Sequence, residues 1–175
     1  KLDSISGGWD YVEPALFGYA AGKVIGSFYE FNLSAQDRIV AQFHEWMTGM
    51  GVLYLEKHAP WVATAFTTHA TVLGRSIAGN NRPLYSRLKE FNPVQTAHEF
   101  NVTSKQSLEK ISAQVADVFT SVSEITGREC EAFLGKKTDV ITPNGFEDTF
   151  VPAPENFDAA RRAAREKLLS VAQAL

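Results

Sequence analysis

Two histidines stand where apolar runs give way to polar residues. Ile39-Val40-Ala41-Gln42-Phe43 passes into His44-Glu45-Trp46, and Val62-Ala63-Thr64-Ala65-Phe66 passes into Thr67-Thr68-His69-Ala70-Thr71. A His beside a Glu can supply a hydrogen-bond donor and an acceptor to a sugar hydroxyl, or a general acid or base where burial shifts its pKa. Residue types alone do not choose among these, and the plainer alternative is that Glu45 caps the next helix while Trp46 fills core. His69 is flanked by Thr68 and Thr71, a setting in which short polar groups converge, although a lone His is most often a satisfied structural residue. Arg75, one turn into the following helical pattern, can present a guanidinium to a phosphate or carboxylate, against the commoner case of a solvated surface Arg.

Other chemistries find no support. His-Glu can open the metalloprotease zinc motif, which needs a second His four residues after the first. Position 48 is Thr, and His58 and His98 make no ligand spacing either, so no metal site is expected. The chain has no Gly-x-Gly-x-x-Gly after a strand, no Gly-x-x-x-x-Gly-Lys-Ser/Thr and no Gly-x-Ser-x-Gly elbow, so a self-contained dinucleotide site, a P-loop and a serine hydrolase are unsupported. No cofactor is expected.

The elements that must position these residues alternate. Helical pattern covers residues 12–31, where Glu13-Pro14 suits a first turn and Leu16, Ala20, Val24 and Phe28 recur on one face. Strands are predicted over residues 38–43 and 61–67, with an apolar helix over 47–57 between them and a short helix opened by Thr71 after the second. Ala78-Gly79-Asn80-Asn81-Arg82-Pro83 breaks that helix, and residues 84–115 read as helical with an interruption at Asn92-Pro93. A strand over 117–122 leads through Ser123, an N-cap residue, into a helix over 124–134; a last strand over 138–142 ends in the turn Pro143-Asn144-Gly145, before a final helix over 156–174. Short apolar runs alternating with helices imply a Rossmann-like α/β fold of three layers, a parallel sheet with helices on both faces, and such sheets bind ligands where the strands end. His44, Glu45 and His69 are therefore expected to share one crevice.

The 175 residues, 45% of them hydrophobic, suit a single domain over 1–175 with a helical insertion over 79–115. A formal net charge of −3, with no run of Lys or Arg outside the last helix, argues against nucleic acid and an anionic membrane surface as partners. No stretch approaches the roughly 18 apolar residues a membrane span requires. The lone Cys130 reads as structural and fits a reducing, cytoplasmic setting. The chain opens with Lys1, and residues 1–11, with Gly7-Gly8-Trp9, read as loop, so a piece of something larger is expected.

Four blocks carry a resemblance. They are Ala41-Gln42-Phe43-His44-Glu45-Trp46 with Gly49 following, Phe66-Thr67-Thr68-His69-Ala70-Thr71 through Gly74-Arg75, Ala116-Asp117-Val118-Phe119-Thr120-Ser121-Val122-Ser123-Glu124-Ile125-Thr126, and Ile141-Thr142-Pro143-Asn144-Gly145. In this order they resemble the glycogen synthases of the fungal and animal type, glycosyltransferase family 3. The blocks lie between about residues 38 and 150 and are specific only together. The more distant bacterial and plant starch synthases have comparable His-Asp-Trp and Thr-x-His blocks.

What the resemblance implies is a two-domain GT-B enzyme that moves glucose from a nucleotide sugar, UDP-glucose or ADP-glucose, to the non-reducing end of an α-1,4-glucan with retention. By the same resemblance His69 contacts the transferred glucose and steadies positive charge at its anomeric carbon, and Asn144 is the active-site Asn of the Pro-Asn-Gly turn. Glu45 lines the cleft near the acceptor, Arg75 faces the donor side, and His44 with Trp46 supports that wall. This chain then corresponds to most of the first domain. The family's amino-terminal Gly-rich loop is absent, as is the carboxyl-terminal domain with its Arg/Lys pair and Glu-containing motif, so the isolated chain is expected to be inactive and that domain is a partner. A homo-oligomer is compatible with the pattern. The competing expectation is a non-catalytic module that holds a glucan or nucleotide in the same crevice; a different GT-B transferase, such as a sucrose or trehalose-phosphate synthase, is a third.

Overall fold

The computed structural model describes residues 9–174; most of the loop expected over 1–11 lies outside the described residues. Along the chain run α1 (Val12–Asn32), β1 (Val40–His44), α2 (Glu45–His58), β2 (Ala63–Thr68), α3 (Val72–Gly79), α4 (Pro93–Glu99), α5 (Thr103–Val115), β3 (Val118–Ser121), α6 (Glu124–Leu134), β4 (Val140–Ile141) and α7 (Phe157–Ala174). The chain divides into two compact units, one ending at Pro143 and one beginning at Asn144, and each is described by itself.

In the first unit every strand pairing is parallel and the order is β1-β2-β3-β4. Parallel neighbours cannot be joined by a tight turn, so each connection carries a helix. The register sets Phe43, Phe66 and Phe119 in one row across the sheet. Val52 and Leu55 of α2, Ala113 of α5, and Cys130 and Leu134 of α6 join this row in one buried cluster. The opposite side of the sheet is more polar: Gln42 donates to Thr67 at 3.4 Å, and the Thr67 and Thr120 hydroxyls lie 2.8 Å apart. On that side Val40, Val118 and Val140 stay exposed.

Helix α1 lies on α2 through a surface that hydropathy did not mark. Leu16, Ala20, Val24 and Phe28, all four residues of its apolar repeat, are exposed, whereas Gly18, Gly22 and Gly26 are buried. A Cβ at Gly18 would sit 2.9 Å from the Thr48 carbonyl oxygen, and one at Gly22 would sit 2.9 Å from that of Gly51. The two backbones therefore meet directly, which only glycine allows.

Residues 84–91 depart from the helical expectation. They form turns and a single 3₁₀ turn at Leu88–Glu90 before Asn92 caps α4, its side chain accepting from the Val94 and Gln95 amides at 3.1 Å each. Leu84, Leu88 and Phe91 pack into a second apolar cluster with Leu73, Ile77, Ala97 and Phe133. These tertiary contacts outweigh local helix propensity. Strand β4 is shorter than expected, although Asp139 donates to the Phe119 carbonyl at 2.7 Å and Thr142 to that of Ser121 at 2.8 Å, which prolongs the ladder at both ends.

The second unit holds the Pro143-Asn144-Gly145 turn residues from Asn144 on, and α7, none of whose residues is buried. Among the described residues no helix is long and apolar enough to cross a membrane.

Candidate functional site

The strands of the first unit end together, because the register pairs His44 with Thr67, Thr68 with Ser121, and Ser121 with Ile141. At that end the imidazoles of His44 and His69 meet, with Nδ1 of His44 2.9 Å from Nε2 of His69. One of these nitrogens carries the proton and the other must accept it, so the pair shares one hydrogen between the rings. With Nε2 of His69 so engaged, its Nδ1 is the ring atom left to face a ligand.

Glu45 opens α2 with a φ of 64°, a left-handed conformation that costs a non-glycine residue energy and is held by its surroundings. It does not cap α2, since no side-chain cap bond forms there and Thr48 instead donates back to the His44 carbonyl at 2.7 Å. Its carboxylate turns to the next loop: Oε1 accepts from the His69 amide at 2.8 Å and the Ala70 amide at 3.3 Å. The Arg75 guanidinium also reaches Oε1, at 3.3 Å, from a side chain 60% exposed. An ion pair so open to solvent contributes little stability, and its value here is orientation. Trp46 is half-buried with the Lys105 ammonium 5.5 Å from its ring centroid, and Lys105 also pairs with Asp10.

Thus His44, Glu45, His69 and Arg75, singled out in the sequence, come together at the carboxyl end of β1 and β2. Asn144, the fifth, is exposed and opens the second unit.

Two acids that the sequence reading passed over hold the same loop from beneath. Glu129 of α6 accepts from the Thr71 hydroxyl at 2.9 Å and from the Tyr85 hydroxyl at 2.7 Å. That bond, with burial adding to it, pushes the Tyr85 phenol up to about 12. Glu109 of α5 accepts from the Val72 amide at 2.9 Å. Gly74 gives Glu129 its room, since a Cβ there would lie 2.1 Å from Oε2 of Glu129. Thr71 caps α3 by accepting from the Gly74 amide at 2.9 Å. The signal for these acids was positional: Glu109 and Glu129 fall three residues after Gln106 and Thr126, on the buried faces of their helices. Cys130, beside them, is buried, and its thiol is pushed up first by burial and then by the two carboxylates.

A parallel α/β sheet whose histidines and carboxylate gather beyond the strand ends defines a Rossmann-like domain, with these groups at the end where such sheets bind ligands. Comparison with known proteins makes this specific. A family model described as glycogen synthase matches residues 9–173. The chain is 35% identical over 156 residues to a glycogen [starch] synthase of Caenorhabditis elegans, covering 89% of this chain and 23% of that protein. It is 41% identical over 135 residues to the Dictyostelium discoideum enzyme of the same name, covering 77% of this chain and 15% of that protein. With the human liver glycogen [starch] synthase the identity is 45% over 107 residues, which is 61% of this chain and 15% of that protein. The chain belongs to the glycogen synthase family. It spans less than a quarter of the length of these curated relatives.

Proposed function

We propose that the protein to which this chain belongs transfers glucose from a nucleotide sugar to the non-reducing end of an α-1,4-glucan, with retention of configuration. The observation that carries this is the joining of His44, Glu45, His69 and Arg75 at one end of the sheet in a chain of this family. In this reading the unit ending at Pro143 is the main part of one Rossmann-like domain, with residues 79–115 as its insertion, facing a second domain across a cleft.

The chemistry suits these groups. A transfer through an oxocarbenium-like state needs positioned dipoles and an aligned acceptor more than a strong nucleophile. His69 presents its ring to the transferred glucose, and the bond to His44 holds that ring's tilt. Glu45 has one oxygen committed to the His69 loop, so its part in holding the acceptor falls to Oε2. Arg75, mostly exposed, is placed to meet negative charge on the donor. Asn144, of the Pro-Asn-Gly turn, is by the family resemblance a further active-site residue. In this reading the chain is inactive by itself and works in the cytoplasm as part of the whole enzyme.

The test is incorporation of labelled glucose into glycogen from UDP-glucose and, separately, from ADP-glucose, by the full-length protein and by this chain. Incorporation by the full-length protein alone supports the reading and names the donor. No incorporation from either sugar overturns it in favour of a binding module.

A further inference from the structure

The loop from His69 to Val72 is held by carboxylates from three different helices. Glu45 of α2 takes the His69 and Ala70 amides, Glu129 of α6 takes the Thr71 hydroxyl, and Glu109 of α5 takes the Val72 amide. Glu45 touches the candidate site itself, and Glu129 is tied to Tyr85 as well. Glu109 is different: it is fully buried, it touches none of His44, His69 or Arg75 by hydrogen bond, and its one bond is to the backbone where α3 begins. Its other oxygen, Oε1, has no partner, and the only other buried side-chain polar atom without one among the described residues is Oγ1 of Thr68, at the end of β2 next to His69.

An acid placed at a core-facing helix position is costly to bury, and an apolar residue there would pack without that penalty. Resting on the transferase reading above, we propose that Glu109 is a positioning residue for His69: by holding the Val72 amide from below, it fixes the start of α3 and so the loop whose other end carries the imidazole. Thr71 and Val72 are buried, and the Val72 amide lies in the first turn of α3, where no helical carbonyl is available to it, so Glu109 supplies its acceptor.

Burial acts on the acid in a consistent direction. Desolvation, with Glu45 and Glu129 adding to it, pushes the Glu109 carboxyl up to about 8 against the lowering pull of the Val72 amide and Arg75. It is therefore mainly protonated at neutral pH and holds the Val72 amide as a neutral acid. Ionising it would place a buried charge near Glu45 from α2, Glu129 from α6 and the buried Cys130 thiol, with Arg75 of α3 opposed.

The test uses the full-length protein. Glu109→Gln keeps a neutral acceptor for Val72, and Glu109→Leu removes it at similar volume. The expected result is that the Gln variant keeps turnover within about 3-fold of wild type, while the Leu variant loses roughly 10- to 100-fold in kcat with both KM values little changed, the loss that misplacing a catalytic group produces. Hydrogen exchange at the His69–Val72 amides should rise about 10-fold or more in the Leu variant alone. Wild-type turnover should also fall as pH rises through about 8, with this component absent from the Gln variant. Should the Leu variant not fold, Glu109→Asp, one methylene shorter, takes its place with the same expectations. Wild-type kcat and exchange in the Leu variant, or a loss in the Gln variant as deep as in Leu, would overturn the proposal. If the full-length protein transfers no glucose at all, the transferase reading fails, and the amide exchange of the loop alone decides the role of Glu109.

Discussion

The glycine contact between α1 and α2 makes a paired test whose two members have opposite signs. A Cβ at Gly51 would lie 2.2 Å from Cε1 and 2.8 Å from Cζ of Phe43, and 2.9 Å from the Gly18 carbonyl oxygen. Carbon atoms in ordinary contact are about 3.5–4.0 Å apart, so Gly51→Ala demands that Phe43 retreat by more than about 1 Å. Phe43 is buried in the aromatic row, and the next residue in β1 is His44, so the ring has no easy path. Overpacking of this kind costs about 1–3 kcal/mol, offset in part by up to about 1 kcal/mol of helix propensity that Ala gains over Gly. A Cβ at Gly26, by contrast, would meet only Ala59 Cβ at 3.7 Å and Tyr54 Cε1 at 3.8 Å, which is ordinary contact. Gly26→Ala should therefore stabilise by about 0.5–1 kcal/mol. Native-state amide exchange reads both within one helix pair: faster by roughly 5- to 30-fold around Gly51→Ala, slower by roughly 2- to 5-fold in α1 for Gly26→Ala. Wild-type exchange in Gly51→Ala, or faster exchange in Gly26→Ala, would refute the tight fit at Gly51 and the free space at Gly26.

The buried acid also sets a pH dependence of stability. Because the folded carboxyl of Glu109 is raised from 4.5 to about 8, the unfolded chain releases its proton first; the stabilisation is full below about 4.5 and is lost as pH rises to about 8. Guanidinium midpoints of wild type and Glu109→Gln should thus converge at low pH, and Gln should be the more stable by roughly 2–5 kcal/mol at pH 8 and above. Glu45→Ala removes the acceptor of three hydrogen bonds and should weaken acceptor use more than donor affinity, seen in separate KM values. Glu45→Gly should be more stable than Glu45→Ala by roughly 1 kcal/mol in thermal unfolding, because glycine tolerates the φ of 64°. Asn144→Ala in the full-length protein should lower turnover at least about 10-fold without changing the unfolding midpoint, if the Asn contacts the reacting sugar.

The strands and their polar ends were legible because a buried parallel sheet needs apolar runs, and the first polar residues after such runs must lie where the sheet ends. That logic alone joined His44 to His69 across the ladder. The buried face of α1 was not legible, since glycine adds nothing to a hydropathy pattern and the apolar repeat of Leu16, Val24 and Phe28 pointed to the exposed side. Residues 84–91 misled because Leu84, Leu88 and Phe91 mimic helical spacing while being fixed by the cluster they enter. Glu109 and Glu129 were hidden among the many acids of the chain, and only their position on the buried side of a helix distinguishes them from solvated ones.

The central claim is that His69 acts on the transferred sugar, and substitution of two histidines in the full-length protein tests it most directly. His69→Ala and His58→Ala would each be assayed for labelled glucose transfer to glycogen at saturating nucleotide sugar; His58 is exposed at the end of α2, with its ring against Tyr54. Loss of one preorganised group from a reacting centre costs about 100- to 1,000-fold in kcat. The expected result is a fall of that order for His69→Ala with an unchanged melting temperature, and His58→Ala within about 3-fold of wild type, the small effect of a surface change. Wild-type turnover in His69→Ala, or an equal loss in both variants, would contradict it.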